Sequence, residues 1–132
     1  MKSESPGKAT SVSWLHAGRQ IRNLRKSGKP LRGSFFFVRI GHAGPTEEGV
    51  TRVAVVNGRG FAGAVCRNRA RRRARGALLE LREMLQGGWD YLLECRPGCE
   101  DVDYQKLVID LRGILSRAEM CEEKRRRSPG GG

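Results

Sequence analysis

An α+β fold is predicted for this chain, with helices packed over a mainly antiparallel sheet in the order αβββαβα. Three observations predict it. The runs "SFFFVRI", "VTRVAVVN" and "WDYLLECR" are rich in aromatic and β-branched residues, and Gly or Pro lies close to each. Three other stretches repeat apolar residues at helical spacing. The resulting order is helix, two or three strands, helix, strand, helix. With 132 residues the chain has room for one domain with one core. That domain is expected over residues 13–118. A polar tail at 1–12, expected to be disordered, precedes it, and a basic, flexible tail at 119–132 follows.

The elements follow in chain order. Ser13 is placed to cap a first helix beginning at Trp14, in which Trp14, Ile21 and Leu24 recur at helical spacing. Gly28 and Pro30 end it. A short edge strand fits near 30–32. A strand over 34–40 puts Phe35 and Phe37 on one face and Phe36 on the other, with Phe36 expected in the core. The loop 41–49 follows by its glycines and proline, then a strand over 50–57. The glycine-rich segment 58–63 leads into a helix from Ala64 to Gln86, ended by Gly87 and Gly88. On a wheel of about 100° per residue, Ala70, Ala74, Ala77, Leu78, Leu81 and Leu85 form one apolar side. A strand over 89–96 ends at Pro97-Gly98. Asp103 caps the last helix, 104–118, whose apolar positions are Tyr104, Leu107, Val108, Leu111 and Leu115.

Charge identifies the class of partner. The net charge of +12 sits in two segments. Residues 1–33 carry +7 and residues 64–86 carry +5, so the remainder sums to zero. Such concentration points to a polyanion. An anionic membrane surface fits less well, because the apolar side of the basic helix suits a core. No apolar run approaches a membrane span, and the opening residues lack the apolar region of a secretory signal, so a cytoplasmic location is expected. The four cysteines form no CxxC pair and lie outside zinc-finger spacing from His16 and His42, so reduced thiols and no metal site are expected.

The segment "AVCRNRARRRAR" carries the argument furthest. Six arginines lie within the nine positions from Arg67 to Arg75, at the start of a helix. The macrodipole makes that end positive already, so cations there cost about 0.3–1 kcal/mol each when exposed. Neighbours three and four apart add repulsion. A sequence selected for stability alone would place acids here; this arrangement makes sense when an anion is bound. Arginine offers a planar fork of donors that grips phosphate bidentately and stacks on bases. Asn68 adds an amide able to donate and accept. Strands flank the helix, which argues against a helix-turn-helix on DNA. A sheet carrying aromatics beside basic helices suits single-stranded or folded RNA.

"GAVCRNRARRRAR" resembles the AVxRNRxxR signature of the bacterial ribonuclease P protein component. The context matches as well: a basic first helix, "TRVAVV" before the signature, "WDYLLECRPG" after it, and a last helix opening with "DYQKLVIDL". The resemblance spans residues 14–118. It implies a fold like the second domain of ribosomal protein S5, with a left-handed βαβ crossover around the signature helix. It implies a protein, monomeric within its complex, that binds a catalytic RNA and precursor tRNA. That RNA removes the 5′ leader with Mg²⁺ held mainly by RNA. By resemblance, Arg67, Asn68, Arg69, Arg71, Arg72, Arg73 and Arg75 bind the RNA. The leader cleft takes Arg22, Arg25, Phe35, Phe37 and Arg59. Two departures stand out. Ile21 and Arg25 occupy positions where relatives commonly carry two aromatics, and Gly58-Arg59-Gly60 replaces a Ser-Lys-Lys segment. Both shift the expected cleft contacts of Arg25 and Arg59 from base stacking towards phosphate. No catalytic side chain is expected in the protein. The alternative is a ribosomal or ribosome-assembly RNA-binding protein of the same fold with no part in an enzyme.

Overall fold

The run Trp89–Cys95 carries apolar side chains at successive positions, so a strand made from it needs cover on both faces. The computed structural model, which describes residues 11–15, 18–42 and 50–127, buries six of these seven residues at the centre of a five-stranded sheet. The elements are β1 (Ser11–Trp14), α1 (Gly18–Ser27), β2 (Lys29–Arg32), β3 (Phe36–His42), β4 (Val50–Asn57), α2 (Ala64–Glu80), a 3₁₀ turn (Arg82–Met84), β5 (Trp89–Cys95) and α3 (Tyr104–Arg127). The strand order is β1-β4-β5-β3-β2. β5 runs parallel to β4 and antiparallel to β3, and α2 makes the crossover between β4 and β5.

Alternation along the strands builds two cores. Phe36, Val38 and Ile40 of β3, Val53 of β4, and Tyr91, Leu93 and Cys95 of β5 meet α2 and α3 on one face. Ala54 of β4 and Leu92 of β5 meet Leu15 and Leu24 on the other, beneath α1. Phe36 is fully buried, as expected. On α2 the buried residues are Ala70, Ala74, Ala77 and Leu78, the apolar side legible in the sequence.

The α+β class stands, and four details differ from the sequence expectation. First, the segment expected to open a helix at Trp14 is strand β1, parallel to β4, and α1 begins at Gly18. "SVSW" alternates apolar and polar residues, and the β4 edge offers it a ladder. Val12 and Trp14 pack against the larger core, while the Leu15 N–H donates to the Val53 carbonyl at 2.7 Å. Second, β1 adds a parallel pair, so the sheet is mixed, with two parallel and two antiparallel pairings. Third, α2 ends at Glu80 rather than Gln86. The Leu81 N–H is shared between the carbonyls of Ala77 and Leu78, which tightens the chain into the 3₁₀ turn that delivers Leu85 to the core. Fourth, α3 continues to Arg127, past the expected end at 118. No Gly or Pro interrupts that stretch, which is rich in good helix formers. The expected disorder of the first residues and the loop 41–49 fall largely outside the described residues, as does the end of the tail.

One clasp ties α3 to the start of β3. Both Asp110 oxygens accept backbone N–H groups, from Ser34 at 2.8 Å and Phe35 at 2.9 Å. Gly33 leaves them room, since a Cβ there would lie 2.6 Å from the carboxylate. Charge-assisted bonds of this kind contribute about 1.5–3 kcal/mol. Asp110→Ala is therefore expected to lower the urea midpoint by a stability loss of that order, with an unchanged m-value. A midpoint equal to wild type would show that the clasp contributes nothing net.

Candidate nucleic-acid interface

Because Ala70, Ala74 and Ala77 are small and fully buried, α2 lies close against the core. Its arginines radiate from a fixed axis. No acid lies in its first turn, and no side chain caps it. Arg67, Asn68, Arg69, Arg72 and Arg75 are exposed, whereas Arg71 and Arg73 are half-buried.

The arginines then divide by partner. Arg71 donates to two amide oxygens, those of Asn57 at the end of β4 and of Asn68 one turn back. Asn57 also donates to the Arg67 carbonyl at 3.4 Å, which tethers the first turn to the sheet. Arg73 donates to the carbonyls of Cys99 (2.7 Å) and Val102, and its guanidinium lies 6.0 Å from the centre of the Tyr104 ring. Arg73 thus fastens α2 to the turn before α3. Arg75 lies 5.7 Å from the Trp14 ring of β1, within cation–π range. Arg69 makes a loose ion pair, 3.9 Å from Asp101, with both groups more than half exposed. Such a pair contributes little in water. Arg67 and Arg72 are exposed, and among the described residues neither is held by a hydrogen bond or ion pair.

The motif groups Arg73 with the expected RNA-binding residues, but its guanidinium donates to two backbone carbonyls. Asn68, expected as an amide able to donate and accept, has its oxygen engaged by Arg71, which leaves its NH₂ to face a ligand.

The second surface is the sheet face beside α1. Phe37 is half-buried there, with the Arg39 guanidinium 4.6 Å and the Arg32 guanidinium 5.8 Å from its ring centre. Arg32, Phe37, Glu94 and Val56 stand in register across β2, β3, β5 and β4. Arg39 also approaches Glu94 at 4.0 Å. Arg22 and Arg25 are exposed on α1, and Arg59 is exposed in the loop after β4. Phe35 is not part of this face. It precedes β3, donates its N–H to Asp110 rather than to a strand, and packs against the larger core near Gly98. Strand alternation therefore never applied to it.

Asn57, Trp14, Arg32 and Arg39 are the contributors that sequence reading missed. Arg39 was legible as the residue two places beyond Phe37 on the same face. Trp14 shares helical spacing with Ile21 and Leu24, and nothing local marks Asn57 as the partner of an arginine 14 residues later.

Among the described residues no group of three or more His, Cys, Asp or Glu side chains is placed to hold a metal ion. Cys66, Cys95 and Cys99 are free thiols. A hydrogen bond with the Cys99 thiol, and then burial, push the Cys95 thiol well above its usual range, so it is no thiolate at neutral pH. No helix among the described residues is long and apolar enough to cross a membrane.

Comparison with known proteins agrees with this layout. The pattern of the Ribonuclease P family matches residues 12–119. A ribonuclease P protein component of Cyanothece sp. is 42% identical over 57 residues, 43% of this chain and 44% of that protein. The match thus spans under half the length of that relative. One from Chloroflexus aurantiacus is 30% identical over 105 residues, 79% of this chain and 76% of that protein. Among solved structures, the ribonuclease P protein of Thermotoga maritima superposes with a TM-score of 0.67 at 25% identity, covering 80% of this chain and 96% of that one. The chain belongs to the bacterial ribonuclease P protein component family.

Proposed function

We propose that this chain is the protein subunit of ribonuclease P, binding the catalytic RNA through α2 and the 5′ leader of precursor tRNA across the sheet face beside α1. The observation that carries this reading is the arginine-dense first half of α2. It projects Arg67, Arg69, Arg72 and Arg75 from a helix whose other side is locked into the core. Four guanidinium groups on a rigid axis bind a phosphate backbone by displacing condensed counterions, with little ordering left to do on binding. Phe37, with the Arg32 and Arg39 guanidinium groups beside it, offers an aromatic and cationic surface for an unpaired base, and Arg22, Arg25 and Arg59 offer phosphate contacts.

In this reading the endonucleolytic step belongs to the RNA. Mg²⁺ would be held mainly by the RNA and would supply Lewis-acid chemistry there, while the arginines of this chain neutralise neighbouring phosphates. The protein neutralises phosphates, which lets the RNA approach its substrate and its metal ions at lower ionic strength. The protein acts as a monomer within the complex and works in the cytoplasm.

Reconstitution tests the reading. Adding the chain to a bacterial ribonuclease P RNA and precursor tRNA at low Mg²⁺ should raise the rate of leader removal. No rise would sink the enzyme-subunit reading and leave a ribosomal or ribosome-assembly RNA-binding protein in its place. Two variants separate outward from inward arginines. Arg72→Ala should weaken RNA binding and flatten the log–log salt dependence by roughly 0.7–0.9, the loss of one phosphate contact. Arg73→Ala should change that slope less than Arg72→Ala does and instead lower stability by about 1–3 kcal/mol, because two backbone carbonyls lose their donor. Equal slopes for wild type and Arg72→Ala would mean that this side chain does not touch phosphate.

A further inference from the structure

Between the outward side of α2 and the turn that leads into α3 lies an open cleft of about 600 Å³. It is separate from the sheet face beside α1. Arg69 and Arg72 line one wall, Glu100 and Asp101 the other, and Tyr104 lies between them. The walls are built rather than incidental. Arg73 fixes their separation by bonding from α2 to two carbonyls of the turn. Glu100 accepts the Gly98 N–H at 3.0 Å, and Gly98 takes a positive φ of 106°, so the turn has a defined shape. Gly76 lets the tyrosine lie against α2, since a Cβ there would stand 3.0 Å from the Tyr104 hydroxyl.

The acids here run against simple phosphate binding. Asp101 competes with any phosphate for Arg69, and it lowers the field of the most basic part of the chain. The arrangement makes sense for a ligand that brings both an anion and hydrogen-bond donors, along with a flat face. A nucleotide does so. Guanine presents its ring N–H and exocyclic amine side by side, matching the two acceptor oxygens of a carboxylate; adenine presents a single amine on that edge. Unpaired bases in RNA are read this way, by stacking on an aromatic ring and hydrogen bonding along the pairing edge.

We propose that this cleft binds one unpaired guanosine nucleotide of the RNA partner, with phosphate on Arg69 and Arg72, the base on Tyr104, and its N–H edge on Asp101. The proposal rests on the RNA-binding reading and adds a specific subsite to it.

The test titrates the full chain with GMP, AMP and inorganic phosphate, followed by the amide signals of Gly76 and Asp101 and the ring signals of Tyr104. GMP should bind roughly tenfold more tightly than AMP, within the range given by one bidentate base contact, and phosphate alone should leave the Tyr104 ring unmoved. Asp101→Asn discriminates sharply because it makes the protein more positive. Pure electrostatics predicts tighter binding of every phosphate ligand; the proposal predicts that the GMP advantage over AMP falls below about twofold as the bidentate contact is lost. Tyr104→Leu, checked for folding by circular dichroism, should weaken GMP and AMP alike.

The subsite is overturned if GMP fails to saturate at millimolar concentration, if phosphate reproduces its shifts, or if Asp101→Asn keeps the GMP preference. Low-Mg²⁺ stimulation of leader removal, measured on the same preparation, keeps the two readings apart. Stimulation without guanine preference sinks only the subsite. Guanine preference without stimulation supports the subsite and sinks the enzyme-subunit reading.

Discussion

Three alanines, Ala70, Ala74 and Ala77, hold α2 against the sheet with no exposed surface of their own. The rest of the molecule depends on that contact. Six arginines in nine positions repel one another and the positive end of the helix dipole, and a free peptide of this composition would be a poor helix. Tertiary packing, rather than propensity, therefore has to stabilise it. Small side chains on the buried side bring the helix axis close to β4 and β5. That closeness lets Asn57, at the end of β4, reach both Arg71 and the Arg67 carbonyl. The crossover from β4 through α2 to β5 is thus both the topological centre of the fold and the mount for its charge.

Much of this was legible because it rests on local periodicity. The alanine–leucine side of α2, the two strands around it and the apolar pattern of α3 can each be read from neighbouring residues. What escaped depends on distant partners. "SVSW" has the alternation of a strand, yet it becomes one only because the β4 edge, some 40 residues later in the chain, is there to pair with it. The extra turn assigned to α2 failed for a similar reason: Leu81 and Leu85 fit helical spacing, but burying both where the chain must turn back into β5 favours a tighter turn. Phe35 illustrates the limit of alternation, which applies only inside a strand. A carboxylate 75 residues away takes its N–H and ends the strand at Phe36.

Candidate site residues show the same division. Arg67, Asn68, Arg69, Arg72 and Arg75 were identifiable from the motif and are exposed. No feature of the string "RRRAR" separates Arg72, which faces outward, from Arg73, which faces the turn before α3. Helical position separates them by about 100°, but which side the turn occupies is decided by the path of β5 into α3. On the sheet face, Arg32 and Arg39 emerged only when strand register placed them around Phe37.

The choice of partners explains how so much charge can be positioned without being cancelled. A carboxylate would fix an arginine well and neutralise it in the same stroke. Arg71 is held by two amide oxygens, Arg73 by two backbone carbonyls and Arg75 by an indole ring. Each partner is a neutral dipole or quadrupole, so the guanidinium is oriented while its full charge remains available to the surroundings. Among the described residues the α2 arginine that meets a carboxylate is Arg69, and at 3.9 Å, in an exposed position, that contact is loose. On the sheet face Arg39 stands 4.0 Å from Glu94 in the same manner. A surface built this way is oriented by neutral partners and keeps its long-range attraction for a polyanion.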